Sequence, residues 1–262
     1  MNISQVLRVL RFTLSATAGL IAAAGFSITA SAQTTPNTVI LVHGAWADAS
    51  SWSKVIPRLV ASHLNVVAVS LPLTSLADDV AATRRAIALV NGPIVLVGHS
   101  YGGAVITEAG NDPKVVGLVF VAAYAPDNGE SSLSLATANP TPVGAQIRPD
   151  ANGFLKLTAD GIAEDFGQDL SEIEKVNLTA TQGPTAGGAL GALASTPAWK
   201  NKPTWFVIAA NDRTVSPELE KTEATRMNAT TITLPTSHLA MLAAPERVAD
   251  FIEGAVAKAG AK

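Results

Sequence analysis

The most informative absence is that of cysteine, because the 262 residues contain none. Disulfides, thiolate nucleophiles and cysteine-based metal sites are therefore excluded. Charged residues are also scarce, at 15%, and the net charge of -3 is small. No basic run and no alternation of arginine with aromatic residues is present, which argues against a nucleic-acid partner. Aromatic residues make up only 5%, too few to favour a stacking site for nucleobases or polymers.

Hydrophobic residues are abundant instead, at 48%, and the N-terminus carries a long apolar run. Arg8 and Arg11 precede an uncharged, alanine-rich stretch over residues 12–28, and Ala30-Ser31-Ala32 follows it. This order predicts an export signal that is cleaved after Ala32, in a periplasmic or secreted bacterial protein. The alternative is an uncleaved anchor, but a run of about 17 residues is short for a membrane span. After cleavage we expect no stable membrane span.

The chain from residue 33 onward alternates between short apolar runs and stretches with helical spacing. Six β-branched runs are too short for helices and predict buried strands, namely 38–42, 65–69, 94–97, 115–122, 203–210 and 229–234. Strands that alternate with helices predict an α/β fold, with a mainly parallel twisted sheet and helices on both faces.

The alternation stops over about residues 127–200, where proline, glycine, threonine and serine become frequent. Pieces such as 158–166 and 171–179 show helical spacing there. Because the α/β pattern resumes afterwards, we interpret residues 127–200 as an insertion into one domain spanning 33–262. This segment is called the insertion below.

A short glycine-bounded serine motif follows the third predicted strand. It reads Gly98-His99-Ser100-Tyr101-Gly102, a G-x-S-x-G pattern between a strand and a helical run. This is the setting of a nucleophile elbow, a turn so sharp that it strains the backbone of the serine. Glycines two residues to either side leave room where a Cβ would collide with neighbouring elements. By itself the pattern is equally compatible with a glycine-rich turn that has no chemistry.

The other groups that such a serine needs follow different strands. A serine hydroxyl requires a base, an acid that orients the base, and N–H donors for the oxyanion. The carboxyl ends of parallel strands meet at one sheet edge, where ligands bind. Five candidate side chains lie in the loops that follow predicted strands: His43, Ser100, Asp127, Asp212 and His238.

These motifs together resemble the α/β-hydrolase superfamily. Val42-His43-Gly44-Ala45-Trp46 follows the first strand, Gly98 to Gly103 the third, Asp212 the next-to-last and His238 the last. The order Ser, Asp, His is that of the superfamily. The His-Gly-Ala form of the first loop is similar to the small branch of methyl-salicylate-type esterases and hydroxynitrile lyases. Only about six core strands are visible, so the two N-terminal antiparallel strands of larger members are not expected.

The resemblance implies a Ser-His-Asp triad made by Ser100, His238 and Asp212. Asp127 is the rival acid, because some members use an acid after that strand. The backbone N–H groups of Tyr101 and Ala45 would form the oxyanion hole, with the N–H of Trp46 as the alternative to that of Ala45. No metal or organic cofactor is implied.

The insertion occupies the place where members of the superfamily carry a cap over the active site. Five aromatic side chains are predicted to line a substrate pocket, although any one of those in the insertion could belong to its own core: Trp46, Tyr124, Phe154, Phe166 and Trp199.

The leading hypothesis is hydrolysis of a small-molecule carboxylic ester through an acyl-enzyme. A hydroxynitrile-lyase-type reaction is the main alternative, and known lyases of this branch add a lysine from the cap. The insertion offers Lys156, Lys175 and Lys200. Lactone or amide hydrolysis and cofactor-free dioxygenation on the same triad remain open, as does a non-catalytic binding protein. A homodimer is also left open.

Overall fold

The computed structural model describes residues 37–259. The predicted signal and its cleavage site after Ala32 lie outside the described residues. Within the described part of the chain, no helix combines the length and the apolar character that crossing a membrane requires. The strands, in chain order, are β1 (Thr38–Val42), β2 (Asn65–Val69), β3 (Ile94–His99), β4 (Val115–Val121), β5 (Ile147–Pro149), β6 (Phe154–Leu157), β7 (Thr185–Ala186), β8 (Thr204–Ala209) and β9 (Thr230–Leu234).

Helices connect these strands. In chain order they are α1 (Ile56–Ala61), α2 (Leu76–Ala88), α3 (Gly102–Ala109), α4 (Ser132–Ala138), α5 (Ala159–Gly161), α6 (Glu172–Thr181), α7 (Gly187–Gly191), α8 (Pro217–Arg226), α9 (Ala240–Ala243) and α10 (Pro245–Ala259). Single 3₁₀ turns lie at Ala49–Trp52, Pro142–Gln146 and Ala198–Lys200, and a π turn lies at Ile162–Phe166.

Six strands form a central sheet in the order β2-β1-β3-β4-β8-β9, and every neighbouring pair is parallel. The predicted α/β fold is confirmed. The strands β1 and β3 at the middle of the sheet are buried along their whole length, as their uninterrupted β-branched and leucine runs predict. Helices α2 and α3 pack on one another, and α1 packs on α10. All parallel strands therefore end at one edge, where β1, β3, β8 and β9 lead into the candidate site.

Helix α1 shows why a proline is tolerated near a helix start. By its sequence alone, the apolar spacing from Trp52 onward predicts a helix capped by Ser50 or Ser51, to which Pro57 is an objection. The structure instead has a separate 3₁₀ turn and begins α1 at Ile56, so that Pro57 lies in the first turn. A proline at that position loses no intrahelical hydrogen bond.

The insertion contains a small sheet that the sequence patterns did not predict. Strands β5, β6 and β7 pair antiparallel and have two to four residues each. Such short strands show too few alternations to be recognised from hydrophobic spacing. The predicted helical pieces correspond to α5 with the π turn that follows it, and to α6, which begins after a capping box formed by Ser171 and Glu174.

Candidate active site

Ser100 lies on the sharp turn between β3 and α3. Its φ of 53° is in the left-handed region, which is energetically unfavourable for any residue other than glycine. Residues with such strained backbone angles are concentrated at functional sites. A Cβ at Gly98 would come within 2.6 Å of the Gly102 carbonyl oxygen, and one at Gly102 within 2.7 Å of that of His43. The motif therefore has the steric character predicted for a nucleophile elbow. Ser100 is 4% exposed.

His238 and Asp212 form a buried hydrogen-bonded pair. The His238 Nδ1 lies 2.6 Å from the Asp212 Oδ2. The other oxygen, Oδ1, accepts the backbone N–H groups of Thr214 at 2.6 Å and Val215 at 2.9 Å. Three donors on one carboxylate hold Asp212 in place. Because the carboxylate oxygen that faces Nδ1 is an acceptor, the His238 proton lies on Nδ1.

Among residues 37–259, the Nε2 of His238 has no hydrogen-bond partner, and it is buried. No hydrogen bond joins His238 to Ser100 in this part of the chain. Because Nδ1 carries the proton, a neutral His238 offers Nε2 as a lone pair. This is the atom that a general base needs free, and such contacts are often loose in unliganded sites.

Asp127, the rival acid, lies elsewhere. Its carboxylate pairs with Lys200, which together with the backbone N–H of Asn128 lowers the pKa of Asp127. The structure thus places Asp212, and not Asp127, on His238.

Side chains from β3 and from the insertion form hydrogen bonds with the loops that carry His238 and Asp212. His99 donates from Nε2 to the His238 carbonyl oxygen at 3.0 Å, and burial keeps the pKa of His99 well below its usual value. From the insertion, Asp169 accepts the Ser237 backbone N–H at 2.7 Å, and Asp165 accepts the Arg213 side chain at 2.7 Å. Sequence reasoning missed these contacts, because nothing in the local pattern connects the insertion to either loop.

The backbone N–H groups predicted for an oxyanion hole lie beside Ser100. Ala45 and Tyr101 both line a cavity with Ser100, and neither N–H donates to another described residue. The alternative, the N–H of Trp46, donates to the Thr185 hydroxyl at 3.2 Å. Ala45 is therefore the group of the first loop that is free to bind an oxyanion.

The cavity has a volume of about 250 Å³ and lies between the sheet edge and the insertion. It is lined by sixteen residues, none of which is charged: Ala45, Trp46, Ser100, Tyr101, Tyr124, Ser132, Leu133, Ala136, Thr137, Pro140, Thr141, Val143, Gly144, Ile147, Leu190 and Thr214. Burial raises the pKa of Tyr124, and the nearby Asp212, Glu223 and Glu220 add to the shift, so the phenol stays neutral.

Of the five predicted pocket aromatics, only Trp46 and Tyr124 line this cavity. Phe166 is fully buried instead and packs 5.1 Å from the His238 ring, between ring centroids. Trp199 donates from Nε1 to the Pro126 carbonyl at 3.1 Å, and Phe154 lies in β6 opposite Ala186. Phe166 and Trp199 do not line the cavity because they pack in the hydrophobic core, where Phe166 lies against the His238 ring.

None of the three lysines of the insertion lines the cavity. Lys175 pairs with Glu172 at 2.9 Å, Lys200 pairs with Asp127, and Lys156 is exposed on β6. Among residues 37–259, no lysine of the insertion therefore lies at the cavity, where the lyase hypothesis would place one.

Comparisons with known proteins agree with the fold. The model of the alpha/beta hydrolase family matches residues 39–251. Probable hydrolase R7 of Phoma sp. (strain ATCC 20986 / MF5453) is 23% identical over 236 residues, which cover 82% of this chain and 96% of that protein. Methylesterase 8 of Arabidopsis thaliana is 26% identical over 208 residues, covering 70% and 75%.

Among solved structures, polyneuridine aldehyde esterase superposes with a TM-score of 0.73 at 19% identity, and the match covers 84% of this chain and 98% of the other. That likeness shows the fold. The named relatives support an esterase-type hydrolase. Since the family model spans most of the described residues, and the strand order and motifs agree with it, the chain belongs to the alpha/beta hydrolase family.

Proposed function

We propose that the protein is a serine hydrolase that cleaves carboxylic esters, with Ser100 as nucleophile, His238 as base and Asp212 as the acid that orients it. The observation that carries this proposal is the His238–Asp212 bond of 2.6 Å with a free Nε2, in a site whose serine is strained and lines a cavity. The acid fixes the imidazole tautomer and stabilises the imidazolium that forms during the reaction.

In the acylation step, the Ser100 Oγ attacks the ester carbonyl carbon and its proton passes to the His238 Nε2. The carbonyl oxygen becomes an oxyanion that the N–H groups of Ala45 and Tyr101 bind. Collapse of this intermediate breaks the ester C–O bond, and His238 returns the proton to the leaving alkoxide. In deacylation, water loses a proton to His238, attacks the acyl carbon and releases the acid, while the proton returns to Ser100.

The cavity is suited to bind a neutral, apolar group of the substrate. Its lining is dominated by aliphatic and aromatic side chains and holds no Lys, Arg, Asp or Glu. A substrate that carried a charge into this space would lose its hydration without gaining a partner. We propose that the cavity receives the acyl chain of an uncharged ester.

The decisive experiment is labelling with a fluorophosphonate, combined with the variant Ser100→Ala. The unmodified protein should gain one covalent adduct at Ser100 and hydrolyse a short-chain aryl ester. Ser100→Ala should lose the label and nearly all turnover, since removal of one triad member costs several orders of magnitude. A full rate in Ser100→Ala would contradict the role of Ser100 as nucleophile. A native protein that is neither labelled nor active would contradict the proposal and favour a binding protein.

A further inference from the structure

The oxyanion hole proposed above is made by backbone N–H groups from two separate parts of the chain. The distance between these two groups must therefore be maintained by other contacts. Ala45 belongs to the loop after β1, whereas Tyr101 lies between β3 and α3. The orientation of these two N–H groups matters for the reaction only as part of an oxyanion hole, so its role rests on the proposed function.

The orientation of the Ala45 N–H is set through the Gly44 carbonyl, which belongs to the same peptide unit. His43 Nδ1 lies 2.8 Å from the Gly44 carbonyl oxygen, and His43 Nε2 lies 2.9 Å from the Leu71 backbone nitrogen. A backbone N–H can only donate, so Nε2 accepts and Nδ1 carries the proton. Burial lowers the pKa of His43 and keeps the ring in this neutral form. Because the peptide group is planar, a bond that fixes the Gly44 carbonyl also directs the Ala45 N–H.

On the Tyr101 side, a buried carboxylate holds the side chain. The Tyr101 hydroxyl donates to the Asp79 Oδ2 at 2.7 Å, and both residues are fully buried, at 1% and 0% exposure. The Asp79 Oδ1 accepts the Leu73 backbone N–H at 2.8 Å. Burial raises the pKa of Tyr101, and Asp79 adds to the shift, so the phenol remains a donor.

The two sides meet in the loop of residues 71–73. Leu71 donates to His43 and Leu73 donates to Asp79, and Leu73 has a left-handed φ of 57°. Among residues 37–259, Asp79 forms no salt bridge, and burial raises its pKa. A carboxyl group buried without a cation costs folding free energy, and here both of its oxygens accept hydrogen bonds, one from Tyr101 and one from the loop.

We propose that Asp79 is a positioning residue that, with the Tyr101 hydroxyl, the loop of residues 71–73 and His43, holds the two oxyanion donors at a fixed separation. These residues are called the oxyanion brace. Asp79 touches no reacting atom, and its effect on the reaction is transmitted through Tyr101 and the loop.

The test compares Tyr101→Phe, Asp79→Ala and the double variant. Loss of a whole oxyanion donor costs about 10²–10³ in kcat, so misalignment should lower kcat by roughly tenfold or more in each single variant. KM should change little, because the oxyanion exists only after attack. The double variant should be no slower than the worse single variant, because both remove the same bond. Asp78→Ala is the matched control, since this exposed neighbour bonds only to the hydroxyls of Thr74 and Ser75.

Two further measurements separate positioning from mere structural support. Fluorophosphonate titration counts the intact sites, so that kcat is expressed per labelled serine. The inhibition constant of a trifluoromethyl ketone, which forms an oxyanion on Ser100, should rise about tenfold, while that of the matched unreactive alcohol should stay constant.

An unchanged kcat per labelled site, or equal weakening of both inhibitors, would overturn the role of Asp79. If Asp79→Ala fails to fold, Tyr101→Phe carries the same test, because it removes only the hydroxyl. Failure of the unmodified protein to be labelled is a different result, because it contradicts the hydrolase proposal itself.

Discussion

At the scale of single residues, the two aspartates that follow neighbouring strands have opposite surroundings. Asp212 is 6% exposed and accepts three hydrogen bonds, one of them from His238. Asp127 is bound to Lys200 near the surface. The fold brings the loop of Asp212, and not that of Asp127, to His238. Substitution of the two aspartates should therefore have different effects on activity.

We therefore expect Asp212→Asn to lower kcat by about 10⁴, because an amide at this position favours the wrong imidazole tautomer. Asp127→Asn loses only a surface ion pair, worth about 0–1 kcal/mol, and should retain most of the activity. Steady-state kinetics on an aryl ester checks both variants, with thermal melting to show that they are folded. Comparable losses in the two variants would refute the assignment of the acid.

At the scale of elements, helix α8 carries two buried glutamates against the sheet. Glu220 accepts the Ala209 backbone N–H and Glu223 accepts that of Ala125, both at 2.9 Å, and each keeps one oxygen without a partner among the described residues. Burial raises the pKa of Glu220 well above its usual value and that of Glu223 to about 8. Helix α8 is thus bonded to β8 and to the chain after β4 by two carboxyl groups, and burial favours the protonated form of both.

This predicts that stability falls as pH rises. The folded protein keeps a proton on Glu223 up to about pH 8, whereas the unfolded chain loses it near its ordinary pKa of 4.5. The folded state binds more protons in this window, so the free energy of unfolding decreases there, by at most about 1.4 kcal/mol per pH unit and proton.

Glu223→Gln should flatten this decline, because the amide keeps an acceptor and cannot ionise. The prediction is tested by measuring the melting temperature of both proteins at several pH values. Glu218→Gln, which changes an exposed residue of the same helix, is the control. If Glu223→Gln melts with the same pH profile as the native protein, Glu223 is not the group responsible.

At the scale of the whole molecule, the cavity exists because the insertion closes over the carboxyl edge of the sheet. The sheet contributes Ser100 and the proposed oxyanion donors, and the insertion contributes α4 and the segment from Pro140 to Ile147. A volume of about 250 Å³ is below the usual range of drug-sized pockets, which favours small acyl groups.

Along a series of aryl esters, kcat/KM should rise about fourfold per methylene, since burial of each contributes about 0.8 kcal/mol, and should fall once the cavity is full. An ester with a terminal carboxylate on its acyl chain should react poorly. A Cβ at Gly144 would meet open space, so Gly144→Leu should fill the cavity and shift the optimum to shorter chains. Gly188→Leu, also in open space but outside the lining, is the control. An optimum that does not move in Gly144→Leu would place the acyl chain elsewhere.

Much of the fold could be predicted because its information is local. The β-branched runs at β1 and β3 are continuous, and the elbow needs glycine at Gly98 and Gly102 for steric reasons that act over a few residues. The insertion was predicted less well. Its strands are too short for a period to be visible, and the outcome for Phe166 and Trp199 depended on competition between its own packing and the cavity.

The sequence by itself determined the fold class, the family motifs and the strand ends at which Ser100, Asp212 and His238 stand. The tertiary structure alone decided which aspartate meets His238, which backbone N–H beside Ala45 is free, and that Asp79 bonds to Tyr101. The physical reason is the range of the interactions. Hydrophobic period and turn sterics act between near neighbours in the chain, whereas a hydrogen bond between residues 22 or more positions apart depends on how the whole sheet is assembled.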